Sequence, residues 1–205
     1  MGLSAERIAA GLDAVAAKEP AIAAALERAG YPEPRIREAG YRTLLRTIVG
    51  QQVSVAAAAS VWRKLEALLG EEMSPATLLA QEFDTLRACG LSRQKQGYVR
   101  SLCELVASGE LDLAQLPDDD EVAIAQLVRI KGIGRWSAEI YLLFAEGRED
   151  IWPSGDLAVQ AGIGRILSLE ERPSEKETRA LADGWRPHRG AIAIFTWHCY
   201  NNPAL

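Results

Sequence analysis

Two features of this 205-residue chain have the residue types and spacing to do chemistry. The first is Asp156, which ends the connection Trp152-Pro153-Ser154-Gly155 and stands just ahead of an apolar run. A carboxylate at the tip of a connection can support a developing positive charge or take a proton from water. The same position suits a helix N-cap, where an aspartate accepts an amide hydrogen and contributes about 1 kcal/mol. Both roles stay open on the residue alone. The second feature is Gly132-Ile133-Gly134, between two apolar helical stretches. Glycine takes positive φ without steric cost, so the backbone can turn sharply while the isoleucine tucks inward. The helix that follows aims its first N–H groups and the positive end of its dipole outward. That geometry binds anions, phosphate above all, although an ordinary helix–turn–helix corner would use the same glycines.

The charges near these features bear on which anion is meant. The formal net charge is −5, and most nucleic-acid binders are basic. Screening over roughly 8–10 Å lets local patches act on their own, however. Between Leu86 and Leu102 stand Arg87, Arg93, Lys95 and Arg100 with no acid among them, and Arg129, Lys131 and Arg135 surround the glycine turn. The acids fall in other stretches, at Glu71-Glu72, Asp118 to Glu121 and Glu170-Glu171. Two basic clusters beside one candidate phosphate turn point to a binding face.

The remaining composition narrows the class. Cys89, Cys103 and Cys199 are far apart with no Cys-x-x-Cys, and only His188 and His198 are available. A zinc site, an iron–sulfur cluster and a disulfide framework are therefore not expected. No apolar run reaches the roughly 18 residues of a membrane span. The start, Met1-Gly2-Leu3-Ser4-Ala5-Glu6-Arg7, has charges where a signal peptide needs apolar residues. A cytoplasmic protein is expected, nucleoid-associated if bacterial, with no membrane partner.

The elements that must position these residues read as helices throughout. No stretch shows sustained period-two alternation, and helix punctuation recurs along the chain. Ser4 starts a first helix, and Pro20 opens a second that stops at Gly30. Further helices are expected over Tyr41 to Val49, Ser54 to Leu69, after Ser74-Pro75, and from Ser92 to near Gly109. Asp118 with Glu121 resembles a capping box for the helix that feeds the glycine turn. The second hairpin helix is expected from about Arg135 to Glu146, then one from Asp156 to about Leu167, one from Ser174, and a last from about Arg189 to Tyr200. The fold class is all-α, about ten short helices in one domain or in two small subdomains sharing the chain. Gly162-Ile163-Gly164-Arg165 repeats the turn's residues inside a helix and is read as a close-packing site. Trp62, Trp185, His188 and His198 are read as structural.

Leu127-x-x-Ile130-Lys131-Gly132-Ile133-Gly134-Arg135-Trp136-Ser137-Ala138 followed by Trp152-Pro153-Ser154-Gly155-Asp156-Leu157 resembles the helix-hairpin-helix and Gly/Pro…Asp signature of the DNA glycosylase (HhH-GPD) superfamily. Arg46-Thr47-Ile48-Val49-Gly50-Gln51-Gln52-Val53-Ser54, Leu91-Ser92-Arg93-Gln94-Lys95, and Trp185-Arg186-Pro187-His188-Arg189-Gly190-Ala191 through Phe195-Thr196-Trp197 resemble its alkylation branch, the 3-methyladenine DNA glycosylase II family. The resemblance is collinear from about Tyr41 to Trp197. It implies a hairpin over 127–146 in a central subdomain of about 45–150, a second subdomain of about 1–44 plus 151–205, and an active site in the cleft between them. Asp156 falls on the catalytic aspartate. Lys131, Gly132, Ile133, Gly134 and Arg135 fall on the stretch that grips a DNA phosphate, and its carbonyls commonly hold a monovalent cation, K+ or Na+. No other cofactor is implied, and no metal held by side chains. Gln52 falls where the family inserts a wedge into the gap left by an extruded nucleotide, with the alternative that it hydrogen-bonds at a helix start. Gln51, Arg93 and Lys95 join the DNA-contacting set.

Trp136 and Trp197 resemble aromatic positions of the family's base pocket. Trp136 also stands where DNA-nicking members carry a Schiff-base lysine; an indole cannot replace that amine. The implied protein is a monomeric, monofunctional glycosylase of base excision repair that acts on double-stranded DNA. It would release 3-methyladenine and 7-methylguanine and leave an abasic site. A non-catalytic damaged-DNA binder of the same fold is the alternative. This chain departs from the family pattern at Lys131, where a proline is usual, and at Ile140, where a tyrosine is common.

Overall fold

The computed structural model describes residues 2–70 and 73–202, so Glu71 and Glu72 lie outside the described residues. Every regular element among them is helical. In chain order these are α1 (Ala5–Ala16), α2 (Pro20–Ala29), α3 (Tyr41–Gly50), α4 (Val55–Leu69), α5 (Pro75–Leu79) and α6 (Phe83–Ala88). They continue with α7 (Arg93–Ala107), α8 (Asp120–Leu127), α9 (Arg135–Tyr141), α10 (Leu157–Ile166), α11 (Glu175–Leu181) and α12 (Arg189–Asn201). A π-helical turn, Leu142–Glu146, prolongs α9, and a 3-10 turn, Ala182–Trp185, follows α11. No helix is long and apolar enough to cross a membrane, among the described residues.

The starts follow from capping chemistry. Ser4, Ser54, Ser74, Ser92 and Ser174 each accept an amide hydrogen three residues on, which satisfies a donor that the first helical turn leaves over. The cap of α8 differs from the sequence expectation: Asp119, not Asp118, takes the Val122 amide at 2.9 Å. Helix α6, which lacks a side-chain cap, carries no start signal by which the sequence would predict it.

The chain divides into two compact units. One is Ala39–Ala138. Within it α3, α5 and α6 all pack on α7, and α4 packs on α3. Leu44, Leu45, Ile48, Leu78, Leu86 and Leu102 are fully or almost fully buried there. The other unit comprises the described residues of Met1–Glu38 and Glu139–Leu205. Helix α12 is its centre, with α1, α2 and α10 against it, and its buried residues include Ile8, Leu12, Ile22, Val159, Ile163 and Phe195. At Gly162 a Cβ would stand 2.9 Å from the Thr196 carbonyl oxygen, so glycine is what lets α10 approach α12.

These limits correct the expected boundary at about 150, because the division falls inside α9. Residues 139–150 go with the chain ends for identifiable reasons. Leu142, Leu143, Phe144 and Ala145 are buried. The Phe144 carbonyl accepts the Arg37 amide at 2.8 Å, and the Gly190 amide donates to Glu149 O at 2.7 Å. The lower limit likewise lies at 39 instead of about 45, so α3 belongs whole to the unit 39–138.

Candidate active site

Asp156 is the N-cap of α10. Its Oδ1 accepts the Ala158 amide at 2.8 Å and the Val159 amide at 3.0 Å. The connection before it is held by its own polar groups. The Asp156 amide donates to Pro153 O at 2.9 Å and the Ser154 amide to Trp152 O at 2.8 Å. Buried Gln160 donates to Ser154 O at 2.8 Å, and the Trp152 indole donates to Thr178 O at 2.9 Å. The carboxylate is therefore aimed by a rigid turn, and it remains partly exposed. Helix α12 brings Trp197 to it, with the indole Nε1 3.4 Å from Asp156 Oδ1. Trp197 is buried and tilts against Phe144, ring centroids 5.6 Å apart.

Two residues that sequence reasoning missed support this corner. Phe144 backs Trp197; it sits in an apolar run with nothing to mark it. Arg189, buried at the start of α12, donates to Asp150 Oδ1 from Nε at 2.7 Å and to Asp150 O from its guanidinium at 2.7 Å. Such forked pairing fixes orientation as well as distance, and it ties the helix that carries Trp197 to the segment that leads to Asp156.

The unit 39–138 holds the glycine turn. The Ile130 amide donates to Leu127 O at 3.1 Å and the Ile133 amide to Ile130 O at 3.0 Å. Ile130 and Ile133 are buried while Gly132 and Gly134 are exposed, the inward isoleucine and outward backbone expected. Gly132 has φ +82°, and a Cβ on it would run into the Tyr98 ring, so no other residue fits. At Gly134 a Cβ would meet nothing within 4 Å. The N–H that Lys131 brings in place of the family's proline donates to Ser101 Oγ at 3.1 Å, and Lys131 itself is exposed. Trp136, in the first turn of α9, is 47% exposed.

The remaining candidates are placed unevenly. Gln52 is exposed, with the left-handed backbone φ +54°. Ser54 caps α4 with its side chain. Gln51 donates from its side-chain amide to Gly132 O at 2.7 Å. Lys95 donates from Nζ to Val49 O at 2.7 Å, at the end of α3, where a helix carries its negative pole. Burial pushes that ammonium below its ordinary value. Arg135 pairs with Glu121, and the exposed Arg93 lies 5.3 Å from the Phe83 ring. Trp62 and Trp185 are buried as expected. Among the described residues no cluster of His, Cys, Asp and Glu could hold a metal ion.

Known proteins are similar to this one along most of the chain. A DNA-3-methyladenine glycosylase of Saccharomyces cerevisiae is 32% identical over 185 residues, 84% of this chain and 61% of that protein. The crystal structure of a DNA-3-methyladenine glycosidase from Bacillus halodurans has a TM-score of 0.88 at 28% identity, covering 95% of this chain and 90% of that one. The Schizosaccharomyces pombe 3-methyladenine DNA glycosylase in complex with abasic DNA gives 0.76 at 25% identity, covering 91% and 94%. This chain spans 58% of the length of a Bacillus subtilis relative that is 26% identical over 165 residues. The pattern of HhH-GPD superfamily base excision DNA repair proteins matches residues 45–187, which contain the glycine turn, Trp136 and Asp156, and the chain belongs to that superfamily.

Proposed function

We propose that this protein is a monofunctional DNA glycosylase that releases alkylated purines, 3-methyladenine and 7-methylguanine, from double-stranded DNA. The observation that carries the reading is the Asp156 carboxylate, oriented by α10 and met by the Trp197 indole at 3.4 Å, in a chain whose relatives are named for 3-methyladenine.

The chemistry follows from the substrate. A base must leave the stack before an enzyme can work on it. Gln52, exposed on its tight loop, is the side chain to fill the gap. Alkylation at N3 or N7 gives the purine a positive charge, so when the bond from C1′ to the base nitrogen breaks, its electron pair neutralises the departing ring. No general acid is needed, in contrast to the paired carboxylates of ordinary glycosidases. The sugar is left cationic. Asp156 stabilises it and takes the proton from a water whose oxygen bonds to C1′, which leaves an abasic site. The exposed indole of Trp136 offers an electron-rich face to a cationic ring, an attraction of roughly 0.5–2 kcal/mol, and supplies no amine for strand cleavage.

The exposed backbone of Gly132–Gly134 would hold a DNA phosphate through amides, which suits an acidic protein. A monovalent cation, K+ or Na+, would sit at the turn's backbone carbonyls, groups that keep a lone pair after accepting one amide hydrogen. Such a cation would add positive charge beside the phosphate and take no part in bond cleavage. The protein would act as a monomer.

Methylated duplex DNA incubated with the protein and analysed chromatographically for free bases tests the reading. Release of 3-methyladenine or 7-methylguanine is expected, with no covalent adduct on borohydride treatment. Tight binding without release would sink the glycosylase assignment, and a trapped adduct would sink the monofunctional one.

A further inference from the structure

The loop that carries Gln52 and the turn Gly132–Gly134 share one support, although 81 residues separate Gln51 from Gly132. Lys95, Tyr98 and Ser101 recur at intervals of three along α7 and so fall on one face of it. Lys95 reaches Val49 O, 2.7 Å away, at the end of α3 just before the loop. The Tyr98 ring fills the space beside Gly132 that a Cβ would need. Ser101 Oγ takes the Lys131 amide at 3.1 Å. Gln51 closes the circuit directly, its amide donating to Gly132 O at 2.7 Å.

Gln52 lies within this circuit at φ +54°. A residue other than glycine held left-handed costs about 1–3 kcal/mol and persists only where its surroundings fix it. Here they do so on both sides: Lys95 holds the chain at Val49, Gln51 is tied to the turn, and Ser54 is committed to the α4 cap. The strained residue is also exposed. Its two neighbours in function, the loop and the turn, are fastened to each other and to the same face of α7.

We infer that Gln51 is a positioning residue, which together with Lys95 sets the register between the phosphate turn and Gln52, so that the grip on the backbone fixes where the Gln52 side chain enters the duplex. The inference rests on the glycosylase reading given above. It moves Gln51 and Lys95 from contacting DNA to aiming the residue that does. The step they serve is the lifting of the base, not the breaking of its bond.

The test uses the full chain and single-turnover excision of 7-methylguanine from two duplexes. In one the lesion is paired with cytosine; in the other it faces an abasic analogue, where the base is already loosely held. Gln51→Met removes the donor at similar size. It should slow excision from the paired duplex by about tenfold, the worth of one hydrogen bond with its orphaned carbonyl. The rate on the unpaired duplex should stay within about twofold. Gln52→Ala should show the same pattern, and Gln51→Met with Gln52→Ala should be no slower than Gln52→Ala alone. Lys95→Met should repeat the substrate dependence. If Gln51→Met does not fold, Gln51→Asn, whose amide falls one methylene short of the carbonyl, replaces it in the same comparison. An unchanged rate on the paired duplex, equal losses on both duplexes, or losses that multiply in the double variant would overturn the inference while the glycosylase reading stands. No release by the wild type on either duplex would overturn both.

Discussion

Trp197 Nε1 stands 3.4 Å from Asp156 Oδ1, the same oxygen that accepts the Ala158 and Val159 amide hydrogens. Capping and the proposed chemistry, which compete as explanations of an aspartate before a helix, are compatible in this arrangement. The helix start orients the carboxylate, and the indole bears on the oxygen already fixed. The contact lies at the long end for a hydrogen bond, so its loss should be felt modestly. Trp197→Phe keeps a ring against Phe144 and removes the N–H. Excision should fall by about tenfold or less, the worth of a single hydrogen bond. Trp197→Ala should destabilise the fold by about 3–5 kcal/mol in urea unfolding. A loss above a hundredfold in Trp197→Phe would assign the indole a larger part.

The two glycines of the turn should respond differently to the same added methyl group. Gly132→Ala forces a Cβ into the Tyr98 ring at a positive φ and should cost at least about 1–3 kcal/mol of stability. Gly134→Ala meets nothing within 4 Å, so its melting temperature should be nearly unchanged. Its methyl group would still stand on the exposed backbone proposed to face a phosphate. DNA affinity, read by fluorescence anisotropy, should therefore drop in Gly134→Ala without a loss of fold. Full affinity in that variant would move the phosphate site off the turn.

Alkaline conditions should loosen the unit 39–138 through a part-buried pair. The Tyr41 hydroxyl and Cys103 Sγ are 3.2 Å apart. Burial pushes the Cys103 thiol up to about 11 from an ordinary 9.0 and holds the Tyr41 phenol above its ordinary value as well. Both groups keep their protons more tightly in the folded chain. The stability they confer is whole below about pH 9 and is lost as pH climbs towards 11, on the order of 3 kcal/mol for the thiol. Cys103→Val, apolar and of similar size, should show a shallower decline over that window in pH-dependent melting. An equal decline would place the alkaline sensitivity elsewhere.

Local rules made much of this legible in the sequence. The turn at Gly132–Gly134, the cap at Asp156 and the close packing at Gly162 each follow from what neighbouring residues permit the backbone to do. The polar partners followed less well, because they come from distant parts of the chain. The sequence places Arg135 in a basic patch and the acids near Glu121 apart from it, yet the hairpin folds Glu121 onto Arg135. Lys95 reads as a surface cation in a run without acids, and its actual partner is the Val49 carbonyl, a group every residue carries and no sequence pattern marks. The boundary inside α9 was hidden for the same reason: Phe144 joins the chain ends through contacts to Arg37 and Trp197.

The central claim is that the charge of Asp156, beyond its cap, carries the reaction, and Asp156→Asn separates the two. Asparagine caps a helix about as well as aspartate, so unfolding free energy should move by no more than about 0.5 kcal/mol. Excision of 7-methylguanine in single turnover should fall by about a hundredfold or more, the size of loss when one transition-state stabiliser is removed. A variant that folds equally well and excises at the wild-type rate would reduce Asp156 to a cap and contradict the account.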